Sequence, residues 1–118
     1  MKLMASLLHN LTHAEAPTVE EALGVAEVAR ILGVHPRTVE RHRVARKAPR
    51  PLEAQREEKL HRIWRELIGL FTEENAIYWL THPVPVLEDR RPVELMAEDG
   101  GLDRVLEAIG RMSWGIPA

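Results

Sequence analysis

The sequence predicts an all-α protein with an N-terminal helix–turn–helix bundle followed by a small helical domain. Apolar residues recur at three- and four-residue spacing through most of the 118 residues, as they do on the buried face of an amphipathic helix. Alternating Val/Ile/Thr runs and Asn-Gly turns, which are typical of strands and hairpins, are absent. Two prolines near residue 50 separate the predicted units, which are residues 1–50 and 51–118.

The first dozen residues form a predicted amphipathic helix, and a linker at residues 14–17 ends it. Four leucines have the helical spacing: Leu3, Leu7, Leu8 and Leu11. His9 and His13 are four residues apart, which would suit one metal ion, but no third ligand accompanies them. We therefore predict no metal site. Thr18 and Glu21 then have the spacing of a capping box and begin the next short helix.

Residues 25–43 have the pattern of two short helices joined by a tight turn. The first helix ends at Gly33, because glycine adopts the left-handed conformation without a steric penalty. Val34 fills the space beneath the turn, His35 stands at the next N-cap, and Pro36 occupies the first helical position. This order, followed by an arginine-rich second helix, is typical of DNA-binding helix–turn–helix motifs. The alternative is an ordinary corner between two helices of a bundle.

DNA binding by such a motif requires hydrogen-bond donors along the exposed face of the second helix. Arg37, Thr38 and Arg41 meet this requirement, since arginine bridges guanine O6 and N7 and threonine contacts phosphate or a thymine methyl. A second group of cations is placed to neutralise phosphate: Arg43, Arg46 and Lys47. One helix buries little surface, so we expect a dimer or larger assembly on DNA.

The charge is distributed unevenly along the chain. The whole sequence carries a net charge of −2, but residues 37–65 contain ten Lys and Arg against four Glu. A cationic centre between acidic ends predicts a polyanionic partner for the centre and a different partner for the rest. For the cations from Arg56 to Arg65, pairing with glutamates on solvated helix faces is the favoured alternative.

The second unit begins with the longest predicted helix, at about residues 52–71, whose apolar and charged residues fall on opposite faces. Thr72 caps the next helix, which ends by Thr81 because two prolines follow. A brief helix begins at Pro92, and a last amphipathic helix follows a Gly-Gly turn.

The last five residues are apolar and helix-breaking: Trp114, Gly115, Ile116, Pro117 and Ala118. An exposed tryptophan here would anchor a partner protein, because a rigid aromatic ring buries a large area at low entropic cost. The alternative is that Trp114 packs back onto the helices of its own chain. On physical grounds both remain open.

Catalytic and cofactor motifs are absent from the sequence. It contains no Gly-rich phosphate loop, nucleophile elbow or HExxH pattern, and no cysteine for thiol or disulfide chemistry. No run is long enough to span a membrane, and the first apolar stretch is too short and interrupted for a signal peptide. We expect a cytoplasmic, non-enzymatic protein with no cofactor and no membrane partner.

The motifs of both halves together resemble the Xre/MbcA/ParS family of bacterial antitoxins. The first half matches at Leu32-Gly33-Val34, Arg37-Thr38-Val39, Arg41, Pro51-Leu52 and Arg56. The second half matches at Ala76, Trp79-Leu80, Pro83, Pro92-Val93-Glu94-Leu95, Gly101, Val105, Leu106, Ile109 and Gly115. The family pattern Asn-x-x-Leu-Gly is replaced by Val84-Pro85-Val86-Leu87-Glu88, and His42 stands where a second recognition arginine is expected.

The resemblance implies an antitoxin of a type II toxin–antitoxin system. Such an antitoxin binds a RES-domain toxin that consumes NAD, and residues 51–118 would form the toxin-binding domain. Trp79 and the tail at residues 114–118 would lie at the toxin interface. The resemblance also implies a homodimer that represses its own operon by binding operator DNA. The alternative is a stand-alone helix–turn–helix transcriptional regulator whose C-terminal helices dimerise or sense a ligand.

Overall fold

The computed structural model describes residues 17–45 and 51–115, and over these ranges it is all-helical, which confirms the predicted fold class. The helices are α1 (Val19–Leu23), α2 (Val25–Leu32), α3 (Pro36–Ala45), α4 (Pro51–Leu70), α5 (Glu73–Thr81), a 3-10 helix (Pro85–Leu87), α6 (Pro92–Met96) and α7 (Gly101–Ser113). Several residues of the sequence predictions lie outside the described ranges: Leu3, Leu7, Leu8, His9, Leu11, His13, Arg46, Lys47, Ile116, Pro117 and Ala118.

The helix boundaries follow local capping signals. The Thr18 hydroxyl accepts a hydrogen bond from the backbone N–H of Glu21 at 3.2 Å and so begins α1. Gly33, with φ +72°, ends α2, and the N–H of Val34 reaches back to the carbonyl of Ala29 at 3.0 Å. Thr72 caps α5 in the same way as Thr18 caps α1. These boundaries agree with the sequence prediction.

The long helix α4 is the centre of the fold. Its buried face contains Leu60, Ile63, Trp64 and Leu67, and it packs against α1, α2, α5 and α7. One hydrophobic cluster joins residues from both predicted units, such as Ile31 and Ile109. No polar or charged residue is buried in the described part of the chain. The division at residue 50 remains a prediction, and α4 is the element on which both units pack.

The loop before α6 explains how the chain accommodates its departure from the family pattern. Glu88 stands where the pattern has glycine, and it adopts a left-handed conformation with φ 60°, as does Asp89 with φ 59°. Such a conformation costs a non-glycine residue roughly 1–2 kcal/mol. The turn is closed by an antiparallel bridge between Val84 and Arg90, and Arg104 lies 3.4 Å from the Glu88 carboxylate. The loop therefore keeps a glycine-like turn without a glycine.

Candidate functional site

The corner formed by α2, the turn at residues 33–35 and α3 presents its cations to solvent. The His35 Nδ1 atom accepts the backbone N–H of Arg37 at 3.1 Å, so His35 caps α3 as predicted. Arg37 and Arg41 are exposed, and Arg41 donates to the Thr38 hydroxyl at 3.4 Å. Val39, on the opposite face, is buried in the core. The two arginines that the pattern places on the exposed face of α3 are therefore exposed.

Arg37 and Arg41 differ from the cations of α4 in their partners. Within the described part of the chain, neither has a carboxylate at ion-pair distance, whereas Lys59 lies 2.9 Å from Asp103 and Arg62 lies 3.4 Å from Glu66. Arg62 thus has the glutamate partner expected for the α4 cations, whereas Lys59 pairs with an aspartate of α7 instead. Arg37 and Arg41 therefore leave exposed positive charge without an anionic partner on the described part of α3.

Arg56 has a role that the sequence does not reveal. Its guanidinium donates to the carbonyl of Leu32 at 3.4 Å, at the C-terminal end of α2, and lies 3.8 Å from Asp99. A Cβ atom at Gly33 would lie only 2.8 Å from Arg56 Nη1. Gly33 therefore serves two purposes, because it supplies the left-handed turn and leaves room for the arginine that fixes α4 against the corner.

A histidine–glutamate pair holds α1 against α4. His61 Nε2 and Glu20 Oε1 are 2.9 Å apart. The hydrogen bond with Glu20 raises the pKa of His61 more than burial lowers it, and the nearby charges of Glu57 and Arg65 act in opposite directions. The same hydrogen bond lowers the pKa of Glu20. Both groups are therefore favoured in their charged forms.

We expect this pair to make stability depend on pH. The raised pKa of His61 contributes stability that is complete below the ordinary histidine value of about 6.5 and disappears as pH rises through the folded-state pKa. The lowered pKa of Glu20 contributes stability above about pH 4.3 that disappears as pH falls through its own folded-state pKa. The difference in Tm between the parent chain and His61→Gln should therefore be largest near pH 5–6 and smaller above pH 8.

The matched control for this pH series is His82→Gln, because His82 contacts the Tyr78 carbonyl and the Thr81 hydroxyl rather than a carboxylate. Thermal unfolding is followed by circular dichroism at each pH. The effect is a small one, since the His61 side chain is 41% exposed and solvent screens the pair. A His61→Gln difference that stays constant from pH 5 to pH 9 would contradict the assignment.

The C-terminal end of α7 exposes a large aromatic side chain. Trp114 is 85% exposed, so it does not pack back onto the described helices, which was one of the two alternatives. Gly115, with φ +77°, hydrogen-bonds the carbonyl of Met112 and ends the helix. Behind this end, Val105 and Ile109 fix α7 in the core. Trp114 is therefore presented on a rigid support.

The other tryptophan in the predicted toxin-binding set has a different environment. Trp79 is half-buried and packs against the core, so only part of it is available to a partner. Its neighbour Tyr78 is 61% exposed and stacks on His82 with ring centroids 3.7 Å apart. Sequence reasoning did not select this pair, because one tyrosine and one histidine four residues apart are common on a solvated helix face.

Neither a metal centre nor a membrane span is found among the residues that the structure describes. No group of three or more His, Asp or Glu side chains there could hold a metal ion. None of the described helices combines the length and the apolar character needed to cross a bilayer.

Comparisons with known proteins connect this fold to one family. Residues 60–115 match the family model of the antitoxin Xre/MbcA/ParS C-terminal toxin-binding domain. The mycobacterial cidal antitoxin MbcA of Mycobacterium tuberculosis, like that of Mycobacterium bovis, is 33% identical over 98 residues, covering 81% of this chain and 86% of the relative. A chain of the M. tuberculosis MbcT–MbcA toxin–antitoxin complex superposes with a TM-score of 0.69 at 31% identity, covering 91% of this chain and 95% of that one.

The all-helical fold and the matched C-terminal domain define an antitoxin of a toxin–antitoxin pair. The chain belongs to the Xre/MbcA/ParS antitoxin family, which confirms the resemblance predicted from its motifs. The region matched by the family model includes Trp79 and Trp114 and excludes the exposed arginines of α3.

Proposed function

We propose that this antitoxin neutralises a RES-domain toxin that consumes NAD. The observation that carries the proposal is the exposed Trp114 at the end of the matched toxin-binding domain. A solved structure of similar fold comes from a toxin–antitoxin complex, and the similarity extends over 91% of this chain. The toxin-binding surface would combine the tail at residues 114–118 with the exposed part of Trp79.

The proposed mechanism is steric occlusion of the toxin's active-site cleft. A tryptophan on a fixed helix end loses little conformational freedom on binding, so most of its buried area contributes to affinity. Gly115 ends α7 immediately after this anchor, so the helix stops where the proposed toxin contact begins. Blocking of this kind requires no catalytic group from the antitoxin itself.

Co-expression with the product of the neighbouring gene, which the proposal expects to be a RES-domain toxin, tests this function. The toxin alone should stop growth and deplete cellular NAD, and the antitoxin should restore both. The two proteins should also co-purify as one complex. Growth arrest and NAD loss that persist while both proteins are soluble and expressed would refute neutralisation.

A second proposed role is repression of the antitoxin's own operon by a homodimer. It is supported by the exposed Arg37 and Arg41, which have no anionic partner in the described structure. The N-terminal end of α3, with Arg37 and Thr38, would read base edges in the major groove. Arg43, Arg46 and Lys47 would contact phosphate groups. Two copies are needed because a single helix buries too little surface for specific binding.

We expect Arg37→Ala with Arg41→Ala to weaken operator binding without affecting toxin binding. Each lost base contact costs about 1–3 kcal/mol, and about 1.4 kcal/mol corresponds to a tenfold change in Kd. Fluorescence anisotropy with labelled operator DNA at several salt concentrations measures both the affinity and its salt dependence. Loss of a phosphate contact would reduce the slope of log K against log salt by about one, so a smaller change in slope agrees with the assignment of both arginines to base edges.

Arg62→Ala is the matched control for this experiment, because Arg62 is exposed but paired with Glu66 on α4. It should leave operator affinity nearly unchanged. If the double variant binds the operator as tightly as the parent chain, the corner formed by α2 and α3 has only a structural role.

A further inference from the structure

The turn at Gly33 is a hinge between α2 and α3. Glycine adopts left-handed and right-handed backbone conformations about equally, so this residue by itself does not fix the angle between the two helices. The helix α3 packs against α2, on the other side of the hinge. Among the described residues, an open groove of about 930 Å³ is lined by Val34 and Val39 of the corner and by Ala54 and Glu57 of α4. Close packing against α4 therefore does not by itself fix the direction of α3.

The guanidinium of Arg56 contacts this hinge from α4. Its Nη1 atom donates to the carbonyl of Leu32 at 3.4 Å, and that carbonyl belongs to the peptide group that joins Leu32 to Gly33. The carbonyl is one of the last four of α2, which have no hydrogen-bond partner inside the helix. A positive charge is also favoured at the C-terminal end of a helix, where the helix dipole is negative. Both effects favour the contact, which restricts rotation of the peptide plane at the hinge.

A second contact orients the same guanidinium. The Nη2 atom of Arg56 lies 3.8 Å from Asp99, in the loop between α6 and α7. Because Nη1 and Nη2 belong to one planar group, contacts to both nitrogens define the orientation of that plane. Asp99 is fully exposed, so we expect this ion pair to contribute little to stability. The hydrogen bond to the carbonyl of Leu32 is therefore the contact that acts on the hinge.

We propose that Arg56 is a positioning residue, which fixes the direction of α3 relative to α4 by holding the peptide group at the hinge. Arg37 and Arg41 lie on α3, so their presentation to DNA depends on this contact. The consequence for DNA rests on the proposed repression of the operon, whereas the fixed direction of α3 is a property of the chain alone. Neither depends on toxin neutralisation.

Residual dipolar couplings of the backbone amides in the full chain, without DNA, test the positioning. In the parent chain, the couplings of α3 and α4 should fit one alignment tensor. In Arg56→Gln, α3 should sample several directions, so its couplings should become smaller and should no longer fit the tensor of α4. Couplings of α3 that still fit the tensor of α4 in this variant would overturn the proposal.

Lys59→Gln is the matched control, because Lys59 lies one turn further along α4 and pairs with Asp103 of α7 rather than with the corner. It removes the same charge and should leave the couplings of α3 unchanged. Equal changes in the two variants would assign the effect to the charge of α4 rather than to the contact at the hinge, and would overturn the proposal. The amide spectrum of residues 51–115 verifies that each variant is folded. If Arg56→Gln does not fold, Arg56→Met replaces it, because methionine retains an apolar stem without the guanidinium.

The DNA affinity of the same variants tests the consequence for operator binding. Arg56→Gln should weaken binding to a labelled duplex from upstream of the antitoxin gene by about tenfold or more, since a misdirected arginine loses a bidentate base contact. Lys59→Gln should bind as the parent chain does. The slope of log K against log salt should stay unchanged in Arg56→Gln. A fall of about one would show that Arg56 itself contacts phosphate and would overturn its role in presenting the other arginines.

The two measurements separate this proposal from operator binding itself. If the parent chain does not bind the duplex, operator binding is refuted, and the dipolar couplings alone then decide the role of Arg56. If the parent chain binds and Arg56→Gln binds equally tightly, operator binding stands and the dependence of DNA presentation on Arg56 is overturned.

Discussion

Gly101→Ala is expected to destabilise the folded chain strongly, by about 3 kcal/mol or more, because the new methyl group has no room. An ideal Cβ atom at Gly101 would lie 1.7 Å from the carbonyl oxygen of Leu95 and 2.5 Å from its carbonyl carbon. Both are backbone atoms at the end of α6, so no rotamer change relieves the contact. The start of α7 would have to move away from α6.

Gly110→Ala is the matched control, since Gly110 lies in the same helix and has no atom within 4 Å of its ideal Cβ position. This control should stabilise the chain by about 0.5–1 kcal/mol, as expected when alanine replaces glycine inside a helix. Urea unfolding followed by circular dichroism gives the free energy of unfolding for both variants. Similar values for the two substitutions would show that α6 and α7 do not approach as closely as described.

The same close approach connects stability with the proposed activity. The helix α7 carries Trp114 at its C-terminal end, and its N-terminal end is positioned by the contact between Gly101 and α6. A total stability of about 5–15 kcal/mol is typical of small domains, so a loss of this size leaves a smaller folded population. Gly101→Ala should therefore also weaken neutralisation, through the amount of folded antitoxin rather than through a lost toxin contact.

Local signals were sufficient to predict most helix boundaries. Gly33, Pro36 and Thr72 end or begin helices through their own backbone and capping chemistry, which requires no knowledge of the rest of the fold. The long helix is predicted to within one residue at each end, because its apolar spacing persists over 20 residues.

The features that sequence reasoning missed depend on contacts between distant parts of the chain. Arg56 reaches the carbonyl of Leu32, 24 residues earlier, and His61 meets Glu20, 41 residues earlier. A charged residue on a helix face gives no indication of which distant group it will meet. The sequence places Gly101 in a turn, but glycine is required there because the backbone of Leu95 approaches too closely for a Cβ atom.

The environment of Trp114 could not be predicted for a related reason. Whether a terminal tryptophan packs onto its own chain depends on the presence of a vacant apolar surface nearby, which is a property of the tertiary fold. The structure leaves it 85% exposed. An exposed tryptophan of this kind is costly to leave in water, and burial against a partner recovers that free energy.

Trp114→Ala is expected to weaken toxin binding by at least about 30-fold, the effect of losing a central aromatic anchor worth about 2 kcal/mol or more. Deletion of residues 114–118 should abolish neutralisation altogether. Trp114→Ala should alter the free energy of unfolding by no more than about 0.5 kcal/mol, because an exposed side chain contributes little to the core. Isothermal titration calorimetry with the purified toxin measures Kd, and thermal unfolding verifies that the fold is retained.

Leu52→Ala provides the control for exposed apolar surface, because Leu52 is 63% exposed at the start of α4 and lies outside the matched toxin-binding domain. It should leave toxin affinity unchanged. A fall in affinity for Trp114→Ala but not for Leu52→Ala assigns the effect to the tail, since both substitutions remove an exposed apolar side chain. If the antitoxin that lacks residues 114–118 still protects cells fully from the toxin, another surface of the antitoxin must block it. The exposed Tyr78 face of α5 would then be the next surface to substitute.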